Sequence, residues 1–312
     1  MQWIFVTGMI RSGTTLVGKV LSLPWSVDYI HEPFNGGYSL PDKTPFEPRY
    51  IRSGATDPEA EAYRAHVQHI FSLDLGLNTT RHSNDSLKRK VVKALVGSRG
   101  PAYLKVAKHN PLQQAIVLKD PVAKLATPFL HEAFDVQPVV LVRHPVSLAA
   151  SLDRMGWYPE MKDFTAEPHL VQEHFADDQA FLQRDWPSRL MEAMGHWRAT
   201  YKVLLKEAER AGDWQVVTHE TLCDTPVVTF RELYDALSLP WSDRVCQKIE
   251  DLTGSRSSAE ARGNQAMDLS RNSSALFALR RDAIPIERRR EIFDIVQDVA
   301  LQVYSRESFA ID

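Results

Sequence analysis

The sequence predicts an α/β protein: a P-loop-type open parallel sheet flanked by helices, with helical insertions. Three observations predict it. An N-terminal apolar run, "QWIFVTG", passes through a glycine-containing loop into an amphipathic segment, the order strand, loop, helix. Two more apolar runs, "AIVLK" at 115 to 119 and "PVVLVRH" at 138 to 144, bracket a helical segment, the alternation that parallel strands with crossover helices require. The 312 residues are 44% apolar and 25% charged, which suits a soluble chain with a substantial core and argues against long disorder.

Residues 2 to 7 read as a buried strand, and "TTLVGKVLSL" continues as a helix with Leu16, Val17, Val20 and Leu21 on one face. "VDYIH" is a second short strand ending at "HEPF", and residues 35 to 56, rich in Gly, Pro and Ser, are expected to be loop. Residues 59 to 96 carry two helical patterns. Tyr63, Val67, Ile70 and Phe71 form one stripe, and "SLKRKVVKALVG" is basic and amphipathic, read as a solvated helix face. Residues 186 to 211 make a long amphipathic helix, "WQVVTH" a fifth strand, and the remainder is mostly helical. With no repeat, low-complexity tract or clear linker, one domain over residues 1 to 312 is expected, with insertions at about 35 to 112 and 156 to 190.

Several function classes find no footing. A net charge of -3 predicts no polyanion-binding surface, so nucleic acid is not an expected partner. Cys223 and Cys246 make neither a disulfide framework nor a metal-ligand spacing and are expected to be buried thiols. "HEPFN", "HEAFD" and "HETLC" each lack the second histidine of the zinc motif, and His66 and His69, three apart without a carboxylate or thiolate nearby, read as surface residues. No metal is expected. There is no G-x-S-x-G and no G-x-G-x-x-G. With no basic leader and no run of membrane-spanning length, a cytoplasmic enzyme is expected.

The informative stretch is "VTGMIRSGTT", residues 6 to 15. It matches G-x-x-x-x-G-K-[ST] at Gly8, Gly13 and Thr15, but Thr14 fills the lysine slot and the cation sits earlier, as Arg11. Backbone N–H groups of Arg11, Ser12, Gly13, Thr14 and Thr15, at the positive end of a helix, would still cradle an anion, and Arg11 adds a planar donor fork. That suits a nucleotide with a single 5'-phosphate and a different group beyond it. An ATP-dependent P-loop kinase or NTPase, the main rival, needs the missing lysine and a metal-holding aspartate; Asp120 is available, but Lys119 beside it fits a metal-free site better. A noncatalytic nucleotide-binding module is the other rival. In "LVRHPVSLAAS", Arg143 ends a strand and Ser151 follows eight residues on, about two helical turns. The pair would grip a second phosphate at the carboxyl edge of the sheet.

These stretches together resemble a family. "TGMIRSGTTL" resembles the 5'-phosphosulfate loop of sulfotransferases and "VRHPVSLAAS" their 3'-phosphate motif. "LKDP" at 118 to 121 resembles an element of tyrosylprotein sulfotransferases, and "VTHETLCDTPVVTFRELYDALSLP" resembles a late strand-helix unit of many members. The resemblance implies 3'-phosphoadenosine 5'-phosphosulfate (PAPS) as co-substrate, the bisphosphate PAP as product, and in-line sulfuryl transfer to a hydroxyl without metal.

It also implies roles. Arg11 touches the 5'-phosphate and the sulfuryl group, Arg143 and Ser151 hold the 3'-phosphate with Arg154 as a further contact, and His219 stands where members carry a tyrosine near adenine. Glu32 in "IHEPF" matches the base of carbohydrate and tyrosylprotein members, with His31 as the alternative found in the cytosolic small-molecule branch. Neighbours on a strand point to opposite faces, so at most one of the two is expected to face the donor. Burial is expected to raise the Glu32 pKa toward the working range. Lys119 lies near the leaving phosphate unless it pairs with Asp120. The C-terminal Arg-Lys-Gly signature of the cytosolic branch is absent; Ser257 in "GSRSSAEARGNQ" is read as a loop serine ahead of a ligand of the donor phosphate, and Arg280, Arg281, Arg288, Arg289 and Arg290 as a solvated surface ahead of one that attracts an acidic acceptor. The expected acceptor is a carbohydrate, glycolipid or other small-molecule hydroxyl. Trp157, Tyr158, Phe164 and Trp186 either line its cleft or pack in the core.

Overall fold

The computed structural model describes residues 1–35, 50–52, 54–74, 99–253 and 284–312. Within them the chain runs β1 (Gln2–Gly8), α1 (Thr14–Leu21), β2 (Val27–His31), α2 (Pro58–Phe71), α3 (Arg99–His109), β3 (Ala115–Lys119), α4 (Thr127–Phe134), β4 (Val136–Val142) and α5 (Pro145–Met155). Three short helical turns follow between residues 162 and 182, then α6 (Arg189–Ala211), β5 (Gln215–Thr218), α7 (His219–Asp224), α8 (Pro226–Ala236), α9 (Asp243–Thr253) and α10 (Ile286–Ala300).

The strands form a five-stranded sheet in the order β2-β3-β1-β4-β5. β3 pairs in parallel with both β1 and β2, with Lys119 opposite Val6 on one side and His31 on the other. β2 and β3 therefore finish at the same level, and β1 runs two residues further, to Gly8. Strands β1, β3 and β4 read as near-continuous Val, Ile, Leu and Phe because both faces of such a sheet are covered.

The helix boundaries follow from local chemistry. Asp57 caps α2 by accepting the N–H groups of Glu59 and Ala60, and Pro58 occupies the first turn, where its missing N–H costs nothing. Pro187 holds the chain out of helix before α6, and the Ser188 hydroxyl then accepts the Met191 N–H to start it; Gly212, at φ 79°, ends it.

Two compact units emerge. The first comprises residues 1–7 and 17–139, with Phe5, Ile30, Phe34, Val67, Leu118 and Phe129 in its core. The second comprises residues 8–16 and 140–312, with Val142, Leu152, Trp197, Tyr201, Val296 and Phe309 at its centre.

Some expectations shift. The fourth strand begins at Val136 and stops at Val142, so Arg143 and His144 lie beyond it. His219 opens a helix instead of closing a strand, because the Thr218 hydroxyl accepts the Thr221 N–H as an N-cap. Both cysteines are half-buried, so neither is the buried thiol expected. Arg290 on α10 is tied by its Nε–H to the Ile311 carbonyl at 2.9 Å and does more than coat the surface. Most of the expected loop at 36–49, the basic "SLKRKVVKALVG" segment, Ser257, Arg280 and Arg281 lie outside the described residues. Among those described, no helix is long and apolar enough to cross a membrane.

Candidate functional site

In the second unit, the loop after β1 is built around positive φ angles: Gly8 at 141°, Arg11 at 69° and Gly13 at 103°. A Cβ at Gly8 would fall 2.4 Å from the Leu141 carbonyl oxygen, so only glycine fits where the loop leaves the strand. Three hydrogen bonds anchor the turn. The Met9 N–H donates to the Tyr201 hydroxyl at 3.2 Å, and that hydroxyl donates to the Leu141 carbonyl at 2.6 Å. The Ser12 N–H donates to the Met9 carbonyl at 3.1 Å. Thr14 and Thr15 then open α1, where helix geometry supplies first-turn N–H groups with no acceptor inside the helix.

The Arg/Ser pair comes to this loop. Arg143, 4% exposed, donates from one terminal nitrogen to the Arg11 carbonyl at 2.7 Å, and the Arg11 Nε lies 3.4 Å from the Ser151 hydroxyl. Trp197 fixes the backbone beneath by donating its indole N–H to the Arg143 carbonyl at 2.9 Å. Among the described residues, the Arg143 Nε and the buried Ser147 hydroxyl have no hydrogen-bond partner. Two orphaned buried donors beside a loop of N–H groups suit a bound anion, since desolvating such groups unpaired costs about 1–3 kcal/mol each. Burial pulls the Arg143 pKa down, and the Glu220 carboxylate is the chief group opposing it.

His219 covers Gly13: a Cβ there would sit 3.1 Å from the imidazole Cδ2. Its Nδ1 lies 3.1 Å from the Cys223 sulfur. Arg154 is exposed on the last turn of α5. Of the four aromatic candidates, Phe164 is fully buried against Phe175 and His196, and the Trp186 ring packs onto Gly195, so both belong to the core. Trp157 is 46% exposed, and the Arg11 guanidinium lies 5.9 Å from its ring centroid. Tyr158 donates its hydroxyl to Asp153 at 2.8 Å.

The second group of predicted residues belongs to the first unit. Lys119, at the end of β3, makes an ion pair with Glu32 and none with Asp120. Asp120 is occupied otherwise: its carboxylate accepts the Phe34 N–H and the Val122 N–H at 2.8 Å each, and the Ala123 N–H at 3.3 Å. Burial, with the nearby Glu32 charge, pushes its pKa up to about 7 against the pull of those N–H groups and Lys119. Asp120 thereby pins the turn that carries Glu32. Glu32 itself stands at φ 49°, left-handed, held by its N–H to the Lys119 carbonyl at 2.7 Å and by the Asn35 amide on its carboxylate at 2.8 Å.

Two expectations are overturned here. Glu32 has left the strand, so period-two alternation no longer separates it from its neighbour: the His31 Nε2 lies 3.7 Å from the Glu32 carboxylate, and both side chains share one side. The His31 Nδ1 is held by the Tyr29 hydroxyl at 2.8 Å. The Glu32 pKa is lowered and not raised. Burial does push it up, but the charge and hydrogen bond of Lys119, the His31 imidazole and the Asn35 amide outweigh it.

Sequence reasoning missed Ser147, although it stands four residues from Arg143 and four from Ser151, the spacing of one helix face. It also gave Glu220 no role of its own, reading it as part of a failed zinc motif and of the late strand-helix unit. Tyr201 carried no local signal, because its bond to Leu141 spans 60 residues.

A family model described as the sulfotransferase family matches residues 3–243. The chain belongs to the sulfotransferase family. Sulfuryl transfer is the general chemistry of that family, and the open parallel sheet flanked by helices is its fold. Among solved structures, this sulfotransferase is similar to a sulfotransferase domain of the curacin biosynthetic pathway, with 14% identity, a TM-score of 0.48 and coverage of 97% of this chain and 98% of that one. It is also similar to the sulfotransferase domain of the Synechococcus PCC 7002 olefin synthase, at 13% identity and TM-score 0.47, covering 97% and 95%. A mouse sulfotransferase complexed with PAP is similar at 11% identity and TM-score 0.46, covering 99% and 88%. No curated protein matches.

Proposed function

We propose that the protein transfers the sulfuryl group of PAPS in-line to the hydroxyl of a carbohydrate, glycolipid or other small-molecule acceptor. The observation that carries this is the convergence of Arg11, Arg143 and Ser151 at the loop that opens α1, with the Arg143 Nε and the Ser147 hydroxyl of the Ser151 helix lacking a hydrogen-bond partner among the described residues. Such a set of donors serves two anionic groups at the ends of one nucleotide. The similar mouse sulfotransferase was solved with PAP.

PAPS, when bound, supplies an activated sulfuryl group on a phosphate leaving group. The loop N–H groups of Arg11, Gly13, Thr14 and Thr15 and the Arg11 fork hold the 5' side; Arg143, Ser147 and Ser151 hold the 3'-phosphate, and the His219 ring packs beside Gly13 toward the base. Each charge-assisted bond of this kind contributes about 1.5–3 kcal/mol. Glu32 accepts the acceptor hydroxyl proton. Because its pKa is lowered, it is ionised at neutral pH and ready to take a proton without first losing one. Lys119 then serves twice: its ammonium keeps Glu32 ionised, and it is a cation available to the charge that gathers on the leaving phosphate. No step calls for a metal. The exposed Trp157, in the segment expected to read the acceptor, offers an apolar face to a sugar or other ring. The whole chain acts as one domain in the cytoplasm.

The test is thermal stabilisation by PAP compared with ADP and ATP, each with and without Mg2+. PAP should raise the melting temperature without Mg2+, and Arg143→Ala should abolish the rise. A response confined to ATP with Mg2+ would instead mark a kinase or NTPase. Glu32→Gln should keep PAP binding while turnover with a panel of hydroxyl acceptors falls at least about a hundredfold; unchanged turnover would remove Glu32 from the chemistry.

A further inference from the structure

The turn that delivers Arg143 is clamped by the C-terminal end of the chain. His144, the next residue, donates its backbone N–H to both oxygens of Glu220 at 3.2 and 3.3 Å. The Tyr304 hydroxyl donates to the same carboxylate at 2.8 Å. The His144 ring is held as well: its Nε2 lies 3.0 Å from the Ser308 hydroxyl, and its face meets Tyr304 and Phe309 at centroid distances of 4.9 and 4.4 Å. Beyond that turn, Arg143 has one protein hydrogen bond from a terminal nitrogen and a bare Nε among the described residues. A buried guanidinium so sparsely held can keep its direction only if the backbone that carries it does not move.

We infer that Glu220 and Tyr304 are positioning residues for the 3'-phosphate grip, locking the end of β4 so that the Arg143 fork is set before the ligand arrives. The inference rests on the donor reading above. It assigns a role to residues 304–309 that no motif in that segment announces: they complete the binding site from the far end of the chain without touching the ligand. The physical effect is preorganisation, in which a turn fixed in advance removes an ordering cost from binding. Glu220 also opposes the loss of charge that burial imposes on Arg143. A contrary effect exists, because a carboxylate near the site repels a phosphate. The geometry favours positioning, since both Glu220 oxygens are engaged by the Arg143–His144 turn and by Tyr304.

The experiment measures affinities of PAP and of adenosine 5'-phosphate, which lacks the 3'-phosphate, for the full chain, Glu220→Gln, Tyr304→Phe and Ser308→Ala. The wild type should prefer PAP. Glu220→Gln and Tyr304→Phe should each weaken PAP about tenfold and leave adenosine 5'-phosphate within about twofold, with Ser308→Ala smaller in the same direction. Equal weakening of both ligands would mean a merely structural role, and tighter PAP binding in Glu220→Gln would mean that repulsion dominates; either overturns the inference. A wild type with no preference for PAP sinks the donor reading and the inference with it. Should Glu220→Gln fail to fold, Tyr304→Phe and Ser308→Ala decide by the same ratio.

Discussion

Replacing Asp120 with asparagine tests the most unusual ionisable group near Glu32. The folded chain holds the Asp120 proton up to about pH 7, whereas an unfolded aspartate releases it near 3.8. Over that window the native state binds more protons than the unfolded state, so stability falls as pH rises. The full rise corresponds to about 4 kcal/mol at 1.36 kcal/mol per unit; between about pH 5 and pH 8 roughly 3 kcal/mol of it should be lost. An asparagine amide in that place has no such proton to release. It also presents one oxygen where two now accept three backbone N–H groups, a pH-independent cost of about 1–3 kcal/mol. Urea unfolding of both proteins, followed by tryptophan fluorescence across this pH range, separates the two effects. Asp120→Asn should cost about 3 kcal/mol more near pH 5 than near pH 8. An equal cost at both ends, or a larger one at pH 8, would refute the reasoning by showing that the N–H groups outweigh burial.

Other substitutions probe the remaining parts. Lys119→Met leaves the Glu32 carboxylate buried without its ion-pair partner and should destabilise by about 3–5 kcal/mol at neutral pH. The Glu32 contribution in the wild type, present above its ordinary value and lost as pH falls through the lowered one, should disappear from acid-unfolding curves of that variant. Gly13→Ala puts a Cβ at φ 103° against the His219 ring and should cost about 1–3 kcal/mol in stability while eliminating PAP-induced stabilisation; an unchanged thermal shift would contradict the tight packing of that loop. Gly195→Ala drives a methyl to 2.2 Å from the Trp186 ring, and the melting temperature should drop by an amount equivalent to about 1–3 kcal/mol.

Strand β1, the loop and α1 were legible because their signals are local: a buried apolar run, two glycines at loop ends and an amphipathic repeat lie within 21 residues of the N-terminus. Arg143 and Ser151 were legible as a pair because one helix carries the serine at a fixed distance from the strand end. His31 and Glu32 were misread for the same local reason, since alternation holds only while both residues stay in the strand, and a single left-handed φ at Glu32 ended it. The direction of the Glu32 shift turned on Lys119, 87 positions away, and could not be inferred from burial.

Residue order alone thus carried the fold class, the glycine loop after β1 and the pairing of Arg143 with Ser151, because periodicity, glycine placement and helix spacing act over a few residues. Tertiary contacts decided which groups are paired, which are orphaned and which way each pKa moves. Glu32 with Lys119, Asp120 with Phe34, and Arg143 with Arg11 are partners brought together across 86 to 132 positions. Electrostatic energy depends on distance in space and on exclusion of water, and neither quantity is written along the chain.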